Sequence, residues 1–364
     1  FWELLQNASD YNDSVSVRLV VTADKVVFQH NGSPFSITDV LNVISPDSDK
    51  DNVEKVGNEN NIGKFGTGLV STHILSAIMQ VKGIYRNNDG NLFEFAFDLD
   101  RGCYDKKTDL INEMEKVRSG FIHNDQCEVT SCDGFNTSFS YILNRPLPMV
   151  PAMRPSDIDL DYLYSVLPYT LCFMEKVQTV VVEDRRNGCH NFSIRRKAQS
   201  DNTISFEIKH DDNVHTVDFA YFSYNDVSSA FCYVGNCVLP YPKNMAKMFC
   251  GLPLVGMENV GMPFILNSLE FKPSVERDGI AFSPSSNPEN RSLLVDSVEL
   301  YGKMLDYVEA RQMDGAYNLA HMSRRYNGNS ESNQQFYKVG VEHFVKQLSK
   351  HTVVRTQSGD FISF

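Results

Sequence analysis

Apolar residues recur with period two at Val15, Val17, Leu19 and Val21, the chain turns at "TADK", and the alternation resumes at Val26 and Phe28. This pattern predicts a β-hairpin. Before it, residues 1–11 carry Trp2, Leu5, Ala8 and Tyr11 at helical spacing. Ser36 followed by Asp39 forms a capping box, with Ile37, Val40, Leu41 and Ile44 as one helical stripe behind it. The chain then turns polar in "SPDSDKDNVEKVGNENN", which reads either as a surface loop or as a lid that orders over a ligand. "NNIGKFGTGLVSTHIL" follows, with a helix expected from about Leu69 to Met79. Two strands flank "NNDGN", residues 104–125 read as a charged helix, and "NTSFSYIL" reads as a further strand. Helices laid on a mostly antiparallel sheet, an α/β sandwich of the α+β class, accommodate this order.

The Pro-rich run "NRPLPMVPAMRPSDID" marks an expected domain boundary. Beyond it come a helix in "LDYLYSVLPYTLCFM", strand-like runs at 177–183, 190–197, 203–209, 214–223 and 229–239, and amphipathic helices at 291–312 and 334–350. The expected organisation is a first domain over 1–148, a β-rich second over 149–288, and a helical C-terminal segment over 289–364.

Composition narrows the classes. A formal net charge of −12 argues against a general nucleic-acid surface. No apolar run reaches the ~20 residues a membrane span needs. The eight cysteines show no CxxC pair and no zinc-finger spacing, so free thiols in a reducing cytoplasm are expected. The chain opens inside a helical pattern without an initiator Met and reads as a piece of a longer protein, lacking an N-terminal element.

Candidate chemistry sits in two places. Glu3 and Asn7 stand four apart on the first helix, so they share a face, with Asp10 a turn further on. A carboxylate and an amide so placed suit a water-activating base and a magnesium ligand, since magnesium leaves most of its shell to phosphate and water. Polar pairs at this spacing are equally at home on a solvated helix face. Gly63, Gly66 and Gly68 form G-x-x-G-x-G before a helix, where backbone N–H groups can converge on an anion and Lys64 adds a point charge. The order differs from the Rossmann fingerprint, and Gly57 lies one residue too far from Gly63-Lys64 for a Walker loop.

The helix "ELLQNASD", the hairpin ending in "HNGSPF", the polar stretch and "GKFGTG" before a helix together resemble the GHKL ATPases, whose nucleotide domain is the Bergerat sandwich. That superfamily holds the heat-shock-protein-90 chaperones, gyrase, the MutL proteins and histidine kinases. The resemblance covers roughly 1–143 and implies Mg-ATP as ligand. On it, Glu3 matches the general base and Asn7 the magnesium ligand, with Asp10 and Gln6 in support. Gly32 matches the glycine of the D-x-G-x-G box, Gly63, Lys64, Phe65, Gly66, Thr67 and Gly68 the phosphate loop, Thr137 the threonine beside the adenine pocket, and 45–62 the ATP lid. The box departs from the family pattern: His30 stands at the aspartate that accepts from the adenine amino group, and Pro34 replaces the second glycine. A neutral His30 or the Asn31 amide oxygen can accept in its place, more weakly than a carboxylate; the alternative is a strand-end histidine facing solvent.

The resemblance also implies a middle or transducer-type second domain that reaches the γ-phosphate with a cation. In "NSLEFKPSVERDG" the candidates are Arg277 and Lys272, the alternative being a surface loop in which Arg277 pairs with Glu276 or Asp278. Within the superfamily the chain looks nearest the heat-shock-chaperone branch and the sacsin-type proteins. The function so implied is an ATP-binding, slowly hydrolysing switch with a protein client or partner and ATP-dependent homodimers of the full-length protein. A nucleotide sensor without hydrolysis and a scaffold with a vestigial site are the alternatives.

Overall fold

The computed structural model describes residues 1–10, 12–45, 68–102, 107–123, 127–131, 134–200, 202–258, 260–274, 279–280, 282, 288–322, 331–356, 358 and 360–363. The stretch 46–62, the residues Gly63, Lys64, Phe65, Gly66 and Thr67, and Arg277 with its neighbours therefore lie outside the described residues. The chain divides into two compact units. The first is Phe1–Leu160, Lys176–Arg195 and Ile208–Val214; the second is Asp161–Glu175, Arg196–Glu207 and His215–Phe364.

The first unit opens with α1 (Trp2–Asp10), then β1 (Val15–Val21), β2 (Lys25–His30), β3 (Phe35–Ser36) and α2 (Ile37–Ile44). After α3 (Gly68–Ser71) come β4 (Ile78–Arg86), β5 (Leu92–Asp100), α4 (Lys107–His123), β6 (Glu128–Val129) and β7 (Thr137–Ile142), and β8 (Val177–Asp184), the start of β9 (His190–Ser200) and the stretch Ile208–Val214 complete it. Across the sheet the order is β9-β8-β1-β2-β7-β4-β5-β6, with β3 beside β4. The named pairs are antiparallel except β1 with β8 and β3 with β4. The unit is thus mixed α+β with a mostly antiparallel sheet.

Alternation carries the strands as the sequence predicts. In β2 the side chains of Val26, Phe28 and His30 are buried, and in β7 those of Thr137, Phe139 and Tyr141. The register sets Val26 opposite Tyr141, Phe28 opposite Phe139 and His30 opposite Thr137, so the two inward rows meet on one face. On α1 Leu4, Leu5, Gln6, Ala8 and Ser9 are buried. The capping box opens α2 as expected: Ser36 Oγ accepts from Asp39 N–H at 3.1 Å, and Ser36 N–H donates to Asp39 Oδ2 at 2.9 Å.

One element differs from expectation. The helix expected from Leu69 to Met79 is the single turn of α3 followed by a 3₁₀ turn at Thr72–Ile74. Ala77 N–H donates to Arg145 O, and from Ile78 onward the chain pairs with β5 and β7. The β-branched and apolar run of Ile78, Met79, Val81 and Ile84 is drawn into the sheet, where cross-strand packing outweighs helical spacing.

The second unit holds most of α5 (Leu160–Leu171), the rest of β9, β10 (Thr203–His210) and β11 (Asn213–Tyr224), β12 (Val227–Val234), and the helices α6 (Pro288–Ala310) and α7 (Glu331–Leu348). Its core joins Phe222, Phe231 and Phe264 with Tyr301, Met304 and Phe344 from the two long helices. Phe264 stacks on Tyr301 at a centroid distance of 4.8 Å and meets Phe344 edge-on at 5.2 Å. Thr352–Arg355 and Phe361–Ser363 close the chain as an antiparallel pair that the hydrophobic pattern did not announce. The described cysteines are all free. Among the described residues no helix is long and apolar enough to cross a membrane.

Candidate functional site

On α1, Trp2, Glu3, Asn7 and Asp10 are half-buried, the last three in one stripe, while positions 4–6, 8 and 9 are buried. This i, i+4, i+7 stripe spans about 10 Å along the helix at 1.5 Å per residue. At its start, a Cβ on Gly68 would collide with the Glu3 carboxylate, so the glycine lets α1 and α3 approach. At its end, Asn12 ties α1 to the turn after β2: its Nδ2 donates to Ala8 O at 2.7 Å, and its Oδ1 accepts from Ser33 N–H. Gly32 lies under that amide, and any side chain there would strike it.

The segment carrying Gly68 is anchored from below. Thr72 Oγ1 donates to Leu69 O at 2.6 Å and accepts from Tyr141 OH at 2.7 Å. His73, buried beside it, has its Nδ1 3.1 Å from Ser76 O, and burial holds its pKa below the usual value. The start of α3 is therefore fixed to β7, the strand that also carries Thr137.

His30 faces inward, 7% exposed, with Phe28 and Phe139 beside its ring at 6.4 and 6.5 Å, which sets aside the solvent-facing alternative. Its Nδ1 accepts from Gly32 N–H at 3.1 Å, and burial pushes its pKa down to about 4, so the ring is neutral near pH 7. Asn31 points the other way: its Oδ1 accepts from Ser16 N–H at 2.7 Å on β1. Thr137 is fully buried and donates to Asn136 Oδ1 at 3.1 Å, while Asn136 Nδ2 donates to Gly32 O at 2.9 Å. Gln6 is buried, and its Nε2 has no partner among the described residues.

The structure thus gathers Glu3, Asn7, Asp10, His30, Gly32, Gly68 and Thr137 into the first unit, around one stripe of α1 and the ends of β2 and β7. Asn31 sits in the same turn with its side chain committed to β1. Lys272 belongs to the second unit, exposed, with its main chain held on both sides by Asn290: N–H to Oδ1 at 2.9 Å and O from Nδ2 at 3.0 Å. Sequence reasoning missed Asn12 and Asn136. Each stands one or two positions outside a regular element, which is the one signal that could have flagged a short amide side chain holding a turn.

A magnesium ion is implied by the resemblance, and the donor set can be tested for it. Asn7 offers a neutral, half-buried amide oxygen that makes no hydrogen bond to any described residue, beside the carboxylates of Glu3 and Asp10. One hard oxygen in an acidic setting fits an ion that takes its remaining ligands from phosphate and water.

No family model matches the chain, and no curated protein matches it. Among solved structures it is similar to the ATPase and transducer domains of DNA topoisomerase II from Balamuthia mandrillaris, at 14% identity and a TM-score of 0.32, over 56% of this chain and 54% of that one. It is also similar to the ATPase region of Saccharomyces cerevisiae topoisomerase II, at 12% identity and a TM-score of 0.30, over 61% of this chain and 57% of that one. The chain spans little more than half the length of the structures it matches.

Proposed function

We propose that the first unit binds a magnesium-complexed nucleoside triphosphate, ATP being the nucleotide the GHKL resemblance implies, and hydrolyses it slowly. The observation that carries this reading is the Glu3–Asn7–Asp10 stripe, bounded by Gly68 at one end and by the His30–Gly32 turn at the other. Asn7 would hold the metal, which neutralises phosphate charge when bound. Glu3 accepts a proton from water at its carboxylate, the role that general-base catalysis requires. Gly63, Lys64, Phe65, Gly66 and Thr67 are the proposed phosphate loop and residues 45–62 the lid. Arg277, or Lys272, is the proposed cation. The "WELLQNASD", "IGKFGTGLVSTHIL" and "HTVVRTQSGDFISF" stretches favour a heat-shock-chaperone or sacsin-type role, a nucleotide-driven switch acting on a protein client and dimerising in the full-length protein. His30 at the place of a carboxylate favours a second reading, a nucleotide sensor without turnover.

Turnover separates the two. Phosphate release from Mg-ATP and Mg-GTP by the whole chain is expected to fall about 100-fold or more in Glu3→Gln, with nucleotide affinity nearly unchanged. Unchanged turnover in the variant contradicts the assignment of Glu3. Binding without turnover in the unaltered protein selects the sensor.

A further inference from the structure

The Pro-rich run that leaves β7 contains "RPLPMVP", residues Arg145 to Pro151. A polyproline II helix repeats every three residues. In that conformation Arg145, Pro148 and Pro151 fall along one edge, and Leu147 and Val150 along a second. Leu147-Pro148 and Val150-Pro151 are then two apolar–proline pairs one turn apart, with a cation one turn before the first proline of the pairs. An aromatic-lined groove that reads P-x-x-P ligands takes this arrangement, each pair filling a slot between rings. A carboxylate pocket beside such a groove would hold the guanidinium.

Most of the run is already confined to that backbone. The pyrrolidine ring sets φ near −65° at Pro146, Pro148 and Pro151. The proline that follows each of Arg145, Leu147 and Val150 pushes that residue toward extended backbone. Met149 is the exception, at φ 64°. It is the third residue of a turn closed by Val150 N–H donating to Leu147 O at 3.1 Å, with Pro148 second. A positive φ at that place suits Gly or Asn and strains a methionine. No ligand-free contact repays the strain, because the Met149 side chain stands wholly in solvent.

The turn bond is the single hydrogen bond that residues 146–153 make among the described residues. Breaking it and returning Met149 to negative φ completes a polyproline II run. The span from Leu147 to Val150 then grows from below about 7 Å to about 9 Å, a small adjustment. Both ends stay anchored. Arg145 O accepts from Ala77 N–H and from Ser76 Oγ, and Arg154 N–H donates to Asp157 Oδ2 at 2.9 Å. Arg145, Pro148 and Pro151 are all exposed, while Leu147 and Val150 are half-buried. The two arginines differ in a way that sets direction. The Arg154 guanidinium is engaged by Asp157 at 3.0 Å, whereas Arg145 forms no ion pair with a described carboxylate.

We propose that Arg145–Pro151 is a docking segment for a protein domain of the SH3 type, whose aromatic groove reads polyproline II and whose acidic pocket receives Arg145 at the N-terminal end. Met149 is the catch: its positive φ holds the segment closed, and docking relieves it. This interaction is independent of the nucleotide reading.

The test is calorimetric titration of the whole chain with a purified SH3 domain selective for ligands whose cation precedes the prolines. Saturable binding is expected, weakened about tenfold or more in Arg145→Ala and in Pro148→Ala. Met149→Pro locks φ near −65° and excludes the turn, so it is expected to tighten binding about fivefold or more. Met149→Gly, which suits the turn, is expected to weaken it. No binding by the unaltered chain overturns the proposal. Binding that Arg145→Ala and Pro148→Ala leave unchanged belongs to another surface and overturns it as well. Binding no tighter in Met149→Pro than in the parent contradicts the catch; should that variant not fold, unchanged binding in Met149→Gly contradicts it instead.

Discussion

His30 is neutral where an unfolded chain would hold it partly or fully protonated, and this links folding to pH. Its pKa drops from 6.5 to about 4 through burial, so between those values the unfolded state binds the extra proton. Stability from this group is fully present above about pH 6.5 and is lost as the pH falls through about 4. The loss amounts to about 3 kcal/mol at 1.36 kcal/mol per unit. His73 is shifted the same way by its burial and adds to the trend. His30→Gln is expected to flatten that part of the stability profile, measured as denaturant midpoints between pH 7 and pH 4. A variant as acid-sensitive as the parent contradicts the buried, neutral assignment. At this scale the sequence announced His30 as a departure from a pattern but not its inward orientation, which depends on the strand register. Asn12 and Asn136 carried only the signal of an amide just outside an element, which is common, and their partners lie 21 and 104 residues away.

Elements were legible where a local rule writes them. The alternation of β1 and β2 gave a hairpin close to the observed bounds, the stretches flanking "NNDGN" and "NTSFSYIL" gave β5, β7 and all but the start of β4, and Ser36 with Asp39 gave the start of α2. Ser36→Ala removes the acceptor of Asp39 N–H and is expected to cost about 1 kcal/mol. A lower urea midpoint with an unchanged slope checks it, and an unmoved midpoint contradicts the cap. The α3 segment shows the limit of such rules. Leu69, Thr72 and Leu75 fit a helical stripe, yet the chain leaves the helix because Ile78 onward satisfies the sheet and Ser76 bridges the turn, accepting from Ile78 N–H at 3.0 Å. Local spacing cannot weigh a strand partner that arrives 60 residues later.

The whole molecule is two compact units, and the candidate site lies within the first. Its parts come from the N-terminal helix, the β2 turn and the late strand β7, which only the fold brings together. The parallel pairing of β8 with β1 is equally silent in the sequence, since "VQTVVVED" is an apolar run with no mark of its neighbour. What the sequence did carry was the proposed chemistry: Glu3 with Asn7, and a glycine-rich run ending at Gly68. The structure adds that Glu3 lies over Gly68 and that Asn12 clamps the other end of the helix to Ser33, over Gly32. The central claim is that this stripe holds the metal-bound phosphates of a nucleotide. Calorimetric titration of the whole chain with a nucleoside triphosphate, with and without magnesium, in the unaltered protein and in Asn7→Ala, tests it most directly. The expected result is saturable binding that weakens about tenfold or more when either magnesium or the Asn7 amide is removed. Binding indifferent to both, or no binding at all, contradicts it.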